Sequence, residues 1–396
     1  MTVDEESQPE LSTRAVHAGD AANDSMAVSM PIYQSSTFRF RDAEHGARIS
    51  AEQAPTHLYT RWGNPTARAV ELSLASLENA EAALLFSSGM AAGSTAVLSM
   101  VKSGDHIVAG SGLYAGMVEL FERVLPRFGV ETTFVDPVDP EQFRAALREN
   151  TRLIYVETPA NPTLVLTDLH AVADVARERN VFTIADNTWA SPVNQRPLEL
   201  GIDAVVHSAT KYLGGHTDVI AGAVAGSRRW IERVWPFLKV LGGCPSPHDA
   251  YLLLRGIKTL PVRVREQNAT ALELARFLER HDAVLRVHHP GLESHPQHEL
   301  ARRQMLGFGG MLAFELKGGM EAGRNLLERL RLTIHAVSLG GIETLAVHPA
   351  STTHGPLTPE ERRRAGIGEG LIRVSVGLES ARDLIADFHQ ALDGIH

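Results

Sequence analysis

Apolar and polar positions along this chain follow two periods. Short apolar runs at Ala83–Phe86, His106–Ala109, Thr132–Val135, Leu153–Val156, Val181–Ala185 and Ala204–His207 predict strands. Amphipathic stretches between them, Met117–Phe128, Glu141–Arg148 and Leu169–Arg179, predict helices. Near-continuous apolar strands separated by helices imply an α/β fold with a mostly parallel sheet covered on both faces. Ligands in such sheets lie beyond the carboxyl ends of the strands.

The flanks read differently. Residues 1–60 are rich in Ser, Gln, Pro and acidic residues without a sustained period, which predicts an extended arm with one short helix. Asn64-Pro65 then marks a helix start, with Val70, Leu72, Leu74 and Leu77 supplying its apolar face. After the strand-rich region, Ser246 to Arg280 predicts a long helical stretch bent near Pro261. Met311–Leu316 and Leu371–Val376 predict strands, and Ala322–Leu330 and Ala381–Leu392 predict helices. The expected division is an arm over 1–62, an α/β domain over 63–250 and a smaller α+β domain over 251–396.

Composition then narrows the function. There are 38 basic and 47 acidic residues, a formal net charge of −9, with 44% hydrophobic and 21% charged residues, which is ordinary for a globular protein. An acidic chain lacks the positive footprint that nucleic acid or an anionic membrane surface requires, so neither is an expected partner. No apolar run approaches the roughly 18 residues that suggest a membrane span. The acidic start, Met1 to Gln8, has no apolar segment, so a secretory leader is not expected. Cys244 is the single cysteine, which excludes an intrachain disulfide and suits a reducing cytoplasm. Only five of the 38 basic residues are lysines, at 102, 211, 239, 258 and 317, so lysine chemistry has few candidates.

The chain has no phosphate-binding P-loop, no Gly-x-Gly-x-x-Gly between a strand and a helix, and no Gly-x-Ser-x-Gly elbow. His295-Pro-Gln-His298 pairs two imidazoles without a third clear ligand, so no metal site is expected. The informative polar residues stand at strand ends. Asp186 closes the strand Val181–Ala185; alone it reads as a loop cap, but a buried carboxylate there needs a cation. Lys211 follows the strand Ala204–His207 within Ser208-Ala-Thr-Lys211-Tyr-Leu-Gly-Gly. A lysine in that setting is a candidate for a depressed pKa and Schiff-base chemistry, against the plainer reading of a surface cation. Ser87-Ser88-Gly89-Met90 turns from a strand into a helix whose first amides can hold a phosphate. Together these three features suit a ligand with an aldehyde, a pyridine nitrogen and a phosphate, namely pyridoxal 5′-phosphate.

Longer segments carry a resemblance. Thr13-Arg-Ala-Val-His-Ala-Gly19, Pro31-Ile-Tyr-Gln-Ser-Ser-Thr-Phe38, Tyr59-Thr-Arg-Trp-Gly-Asn-Pro-Thr66, Glu157-Thr-Pro-Ala-Asn-Pro162 and Asp186-Asn-Thr188 come in order. His207-Ser-Ala-Thr-Lys-Tyr212, Ser246-Pro-His-Asp-Ala250, Arg255-Gly-Ile-Lys-Thr-Leu260, Ser338-Leu-Gly340 and Ile372-Arg-Val-Ser-Val-Gly-Leu378 follow. The chain resembles the Cys/Met-metabolism enzymes that depend on pyridoxal phosphate: methionine and cystathionine γ-lyases, cystathionine γ-synthase and O-acylhomoserine sulfhydrylases. The resemblance implies a fold-type I, aminotransferase-like architecture and a homotetramer built as a dimer of dimers. It implies that Lys211 forms the Schiff base and shuttles protons, and that Asp186 pairs with the pyridine nitrogen. It further implies that Tyr114 stacks on the ring and acts on the leaving group, and that Asn161 bonds the phenolic oxygen. Ser88, Gly89, Met90, Ser208 and Thr210 would cradle the phosphate, with Tyr59 and Arg61 reaching it from a neighbouring subunit. Arg373 and Ser338 would take the substrate α-carboxylate.

Two positions bear on the reaction. Cystathionine-handling members of the family usually carry Glu just before the Ser-Leu-Gly motif, and Val337 stands there, which favours a neutral γ-substituent. Methionine γ-lyases typically carry Cys two residues after the stacking tyrosine, and Gly116 stands there, as if to leave room for a larger or wetter substrate. The expected activity is γ-elimination on methionine or a related sulfur amino acid; γ-replacement and cystathionine cleavage are the alternatives. Cys244 reads equally as pocket or packing.

Overall fold

The computed structural model describes residues 8–353, 355, 358–364, 366–393 and 395. The first sheet has seven strands: β1 (Ala82–Phe86), β2 (His106–Gly110), β3 (Glu131–Val135), β4 (Thr151–Glu157), β5 (Phe182–Asp186), β6 (Ala204–His207) and β7 (Gly222–Gly226). Their spatial order is β1-β7-β6-β5-β4-β2-β3. The pairs from β6 through β5, β4 and β2 to β3 are all parallel, and β7 alone runs against both of its neighbours, β1 and β6. This is the mostly parallel α/β sheet that the apolar runs predict.

Every residue of β1, β2, β6 and β7 is buried, which explains the apolar runs. On one face, the helices Gly89–Leu98 and Arg228–Leu241 pack Ala92, Ala96, Trp230 and Val234 onto Leu84, Ile107, Tyr155 and Val206. On the other, Pro65–Leu77 and Pro247–Lys258 pack Val70, Leu74 and Leu253 onto Leu85, Ala223 and Ala225. The helix at Pro65 starts as its sequence signals: Pro65 is in the first turn and the Asn64 side chain accepts from the Thr66 amide at 2.9 Å.

Strand β7 escapes the sequence reading because its residues, Gly-Ala-Val-Ala-Gly, carry one β-branched side chain and no alternation. Its Gly222 is there for space: a Cβ would lie 2.0 Å from the carbonyl oxygen of Ser88. The stretch from Met117 also differs from a plain helix, passing from Ala115–Glu119 through a π-helical turn, Leu120–Val124, to a 3₁₀ turn, Leu125–Phe128. Pro126, which cannot continue an α-helical hydrogen-bond ladder, stands in that last turn.

A second sheet holds β8 (Val284–His288), β9 (Met311–Leu316), β10 (Ile334–His335), β11 (Leu345–Val347) and β12 (Leu371–Ser375) in the order β10-β11-β12-β9-β8. The helices Leu260–Glu279, Gly319–Arg329 and Ala381–Leu392 cover it with Leu274, Leu326 and Phe388. The helical stretch between the sheets breaks at Thr259 rather than at Pro261. Pro261 sits in the first turn of the following helix, where its missing N–H costs nothing. Residue 250 lies inside the helix Pro247–Lys258, so the chain passes from one sheet to the other through helices rather than a linker.

Candidate active site

The carboxyl ends of β4, β5 and β6 are Glu157, Asp186 and His207, and the loops beyond them meet residues of the second sheet. Lys211 is half-buried and donates from Nζ to Ser338 Oγ at 2.9 Å. Burial, and then the nearby Arg373 cation, hold its ammonium below the ordinary lysine range. Arg373, on β12, is only 6% exposed. Its Nη2 donates to the Ser338 carbonyl at 2.9 Å and its Nη1 to Asn161 Oδ1 at 3.2 Å. The guanidinium carbon is 5.9 Å from the centre of the Trp189 ring, within cation–π range. Burial pushes its pKa down to about 10, which still leaves it charged at neutral pH. Its Nε is buried and unpartnered among the described residues. A buried cation with a spare donor and neutral neighbours suits an incoming carboxylate.

Asp186 accepts from the Thr188 amide at 3.0 Å. Burial raises its pKa, while Thr188 and the charge on His207 oppose that rise. The Thr188 hydroxyl in turn accepts from the Ser208 amide at 2.8 Å, so one residue links the carboxylate to the loop that carries Lys211. Asn161 gives its oxygen to Arg373, which leaves its NH₂ group free to donate.

The anion cradle is built by close approach. Ser88 caps the helix Gly89–Leu98, its hydroxyl accepting from the Ala91 amide at 3.0 Å. A Cβ on Gly89 would lie 2.8 Å from the Ser208 Cβ, so only glycine lets the two loops meet at the helix N-terminus. The Thr210 hydroxyl is occupied: it donates to the Ala221 carbonyl at 3.1 Å and accepts from the Ala221 amide at 3.0 Å. To serve a phosphate it would have to redirect its proton from Ala221.

Tyr114 is 51% exposed and begins the short helix Ala115–Glu119. Gly116 does not leave empty space, contrary to the sequence reading. A Cβ there would stand 2.7 Å from Tyr114 Cε1 and 2.9 Å from Met90 Sδ, so the tyrosine ring and Met90 fill that volume. Val337, beside Ser338, is 58% exposed. Tyr59 and Arg61 meet each other, with the guanidinium 5.4 Å from the ring centre, and Arg61 also bonds the Lys239 carbonyl. With Gln34, Ser36 and Pro247 they line a separate open groove of about 260 Å³. Cys244 is half-buried against the Leu84 and Trp230 cluster, a packing position.

Residues 12–393 match the model of the Cys/Met metabolism PLP-dependent enzymes. The chain belongs to this family. It is 50% identical over 388 residues to an L-methionine gamma-lyase of Treponema denticola, covering 97% of this chain and 96% of the relative. A cystathionine gamma-lyase of Bacillus subtilis is 44% identical over 385 residues, covering 97% and 99%. The crystal structure of metB from Corynebacterium glutamicum superposes with a TM-score of 0.91 at 40% identity, covering 98% of this chain and 99% of that one.

Members of this Cys/Met family use pyridoxal phosphate, and the structure fits it: a buried carboxylate, a lysine of lowered pKa and a glycine-only approach at a helix N-terminus stand together. Three residues near the site carry no role in the sequence reading. Thr188 and Trp189 are signalled only by following Asp186. Glu157 opens a family segment, but its place beside Asp186 follows from the pairing of β4 with β5.

Proposed function

We propose that this enzyme is a carbon–sulfur lyase that cleaves methionine, or a related neutral thioether amino acid, to 2-oxobutanoate, ammonia and a thiol. The observation that carries the reading is the buried Arg373 with its free Nε beside Lys211, a receptor for an α-carboxylate next to an amine able to exchange protons. Relatives named L-methionine gamma-lyase support the choice of substrate.

Bound pyridoxal phosphate supplies an electron sink for the pair left at the substrate Cα. Arg373 fixes the α-carboxylate, and Ser338 holds both Arg373 and Lys211 in register. Lys211 Nζ, with its lowered pKa, takes the proton from Cα and manages the β-proton whose loss lets the Cγ–S bond break. The Tyr114 phenol, on a half-exposed side chain, would hand a proton to the departing sulfur. Asp186 would pair as an anion with the ring nitrogen, and Asn161 would donate its NH₂ to the phenolic oxygen. Ser88, Gly89, Met90 and Ser208 would hold the phosphate, with Thr210 beside them.

Self-association as a homotetramer, a dimer of dimers, accompanies this reading. Tyr59 and Arg61 would complete the phosphate site of a neighbouring copy, and their separate groove supports that role. A cytoplasmic site of action is part of the same proposal. Among the described residues no helix is long and apolar enough to cross a membrane. The division into an arm over 1–62 and domains over 63–250 and 251–396 is proposed on the two sheets.

The second reading is cystathionine cleavage or γ-replacement, favoured by the relative named cystathionine gamma-lyase. A substrate panel scored by 2-oxobutanoate release, with and without an added thiol, separates these readings. Release from methionine without added thiol is expected. Product formation only when a thiol is supplied would make the enzyme a γ-replacement catalyst.

A further inference from the structure

Glu157 and Asp186 are Cα partners at the carboxyl ends of the adjacent parallel strands β4 and β5. In-register partners on neighbouring strands project to the same face. Both residues are buried, Glu157 being only 4% exposed. Glu157 Oε2 accepts from the Tyr114 amide at 2.7 Å. Asp186 Oδ1 accepts from the Thr188 amide at 3.0 Å. Glu157 thus has one main-chain amide to itself, whereas Asp186 has the Thr188 amide aided by the Thr188 and Tyr155 side chains, and two neighbouring buried carboxylates so unequally supplied do not both stay ionised.

We infer that Glu157 is a positioning residue that stays protonated beside an ionised Asp186 and anchors the main chain of Tyr114. As a neutral acid it leaves Asp186 the only negative charge facing the cofactor's ring nitrogen. Its other oxygen fixes the main chain of Tyr114, whose ring would stack on the cofactor. One side chain thus ties the groups on which the ring would rest at its nitrogen and on its face. This rests on membership of the family, not on the choice of substrate.

The surroundings decide which carboxyl keeps the proton. Burial and the Asp186 charge push Glu157 well above the usual range, and the Tyr114 amide opposes them weakly. Asp186 is raised by burial but is helped by Thr188 and by His207. The remaining titratable neighbour is Tyr155, also on β4, whose buried phenol is raised by burial and by both carboxylates and stays neutral. His207, which faces Asp186, is itself held by Glu78 Oε1 at 2.6 Å, a pair almost wholly buried.

The test compares Glu157→Gln with Glu157→Ala. Glutamine copies the protonated acid: an oxygen for the Tyr114 amide and a donor toward Asp186. Infrared difference spectra of the wild-type and Glu157→Gln apoproteins should show the carbonyl stretch of a protonated carboxylic acid in the wild type alone. Titration of each apoprotein with pyridoxal phosphate, followed by absorbance, should give Glu157→Gln an affinity within about threefold of wild type. Glu157→Ala, which strands the Tyr114 amide, should weaken binding about tenfold or more. No protonated-acid band at neutral pH, or markedly tighter binding by Glu157→Gln, would mean an ionised Glu157 and overturn the inference. Wild-type affinity in Glu157→Ala would overturn the anchoring role. If Glu157→Ala fails to fold, the infrared comparison and the Glu157→Gln titration still decide the protonation state.

Discussion

Lys211 and Arg373 are joined through one residue: the Ser338 hydroxyl accepts from Lys211 Nζ and the Ser338 carbonyl accepts from Arg373 Nη2, each at 2.9 Å. Ser338 achieves this with φ at +90°, a left-handed backbone that costs a serine of order 1–3 kcal/mol. The conformation aims two acceptors of a single residue at two cations. Ser338→Ala removes only the hydroxyl, so the prediction is a fall in kcat of about fivefold with little change in KM, because Arg373 keeps its carbonyl partner. A large rise in KM with kcat unchanged would place the hydroxyl in substrate binding instead.

The cofactor should be held by one lysine. Purified protein is expected to be yellow, and borohydride followed by peptide mapping should fix the pyridoxyl label on Lys211. Lys211→Ala should abolish both the label and turnover. A label on Lys102, Lys239, Lys258 or Lys317 would refute the assignment.

The lowered Lys211 pKa has a definite pH consequence. Burial and the Arg373 cation both disfavour the ammonium, so the free amine appears at lower pH than in an ordinary lysine. In the apoprotein, Lys211 should therefore react with an amine-directed aldehyde at lower pH than a free lysine amine does. Arg373→Gln removes the neighbouring cation, so the reactivity profile should move to higher pH. A profile that stays in place would leave burial as the whole cause.

Tyr59 and Arg61 are expected to serve a neighbouring copy. Mixing Arg61→Ala subunits with Lys211→Ala subunits should restore activity, because a hybrid dimer has one site with both residues intact. Verified subunit exchange with no rescue would mean that each chain completes its own site.

The parts of this enzyme that sequence made visible are those where one residue type has few innocent explanations. Lys211 is one of five lysines and follows the fully buried strand Ala204–His207, and Asp186 closes another strand. Strand β7 stayed hidden because Gly222 answers a contact with Ser88, 134 positions earlier in the chain, rather than a local preference. Glu157 stayed without a role because a glutamate before Thr-Pro names no partner in sequence. Only the register of β4 against β5 brings it to Asp186. Gly116 misled for a related reason: a missing side chain suggests space, yet the Tyr114 ring and Met90 occupy it.

The last expectation concerns substrate choice and rests on Val337. On the proposal that Val337 lines the distal part of the cleft, a substrate with a distal ammonium, such as cystathionine, would meet an apolar side chain there, whereas a thioether methyl would lose nothing. Because Val337 is 58% exposed, water reaches position 337, and the full cost of a buried unpaired charge does not apply. An exposed ion pair is worth up to about 1 kcal/mol, or about fivefold in kcat/KM, so Val337→Glu should move the cystathionine-to-methionine ratio upward by roughly that factor. If the neighbouring copy covers position 337 on assembly, desolvation enlarges the effect toward tenfold or beyond. The wild type should prefer methionine or homocysteine. A wild type that prefers cystathionine, together with an unchanged ratio in Val337→Glu, would remove position 337 from the determinants of specificity and turn the proposed function toward the cystathionine lyases.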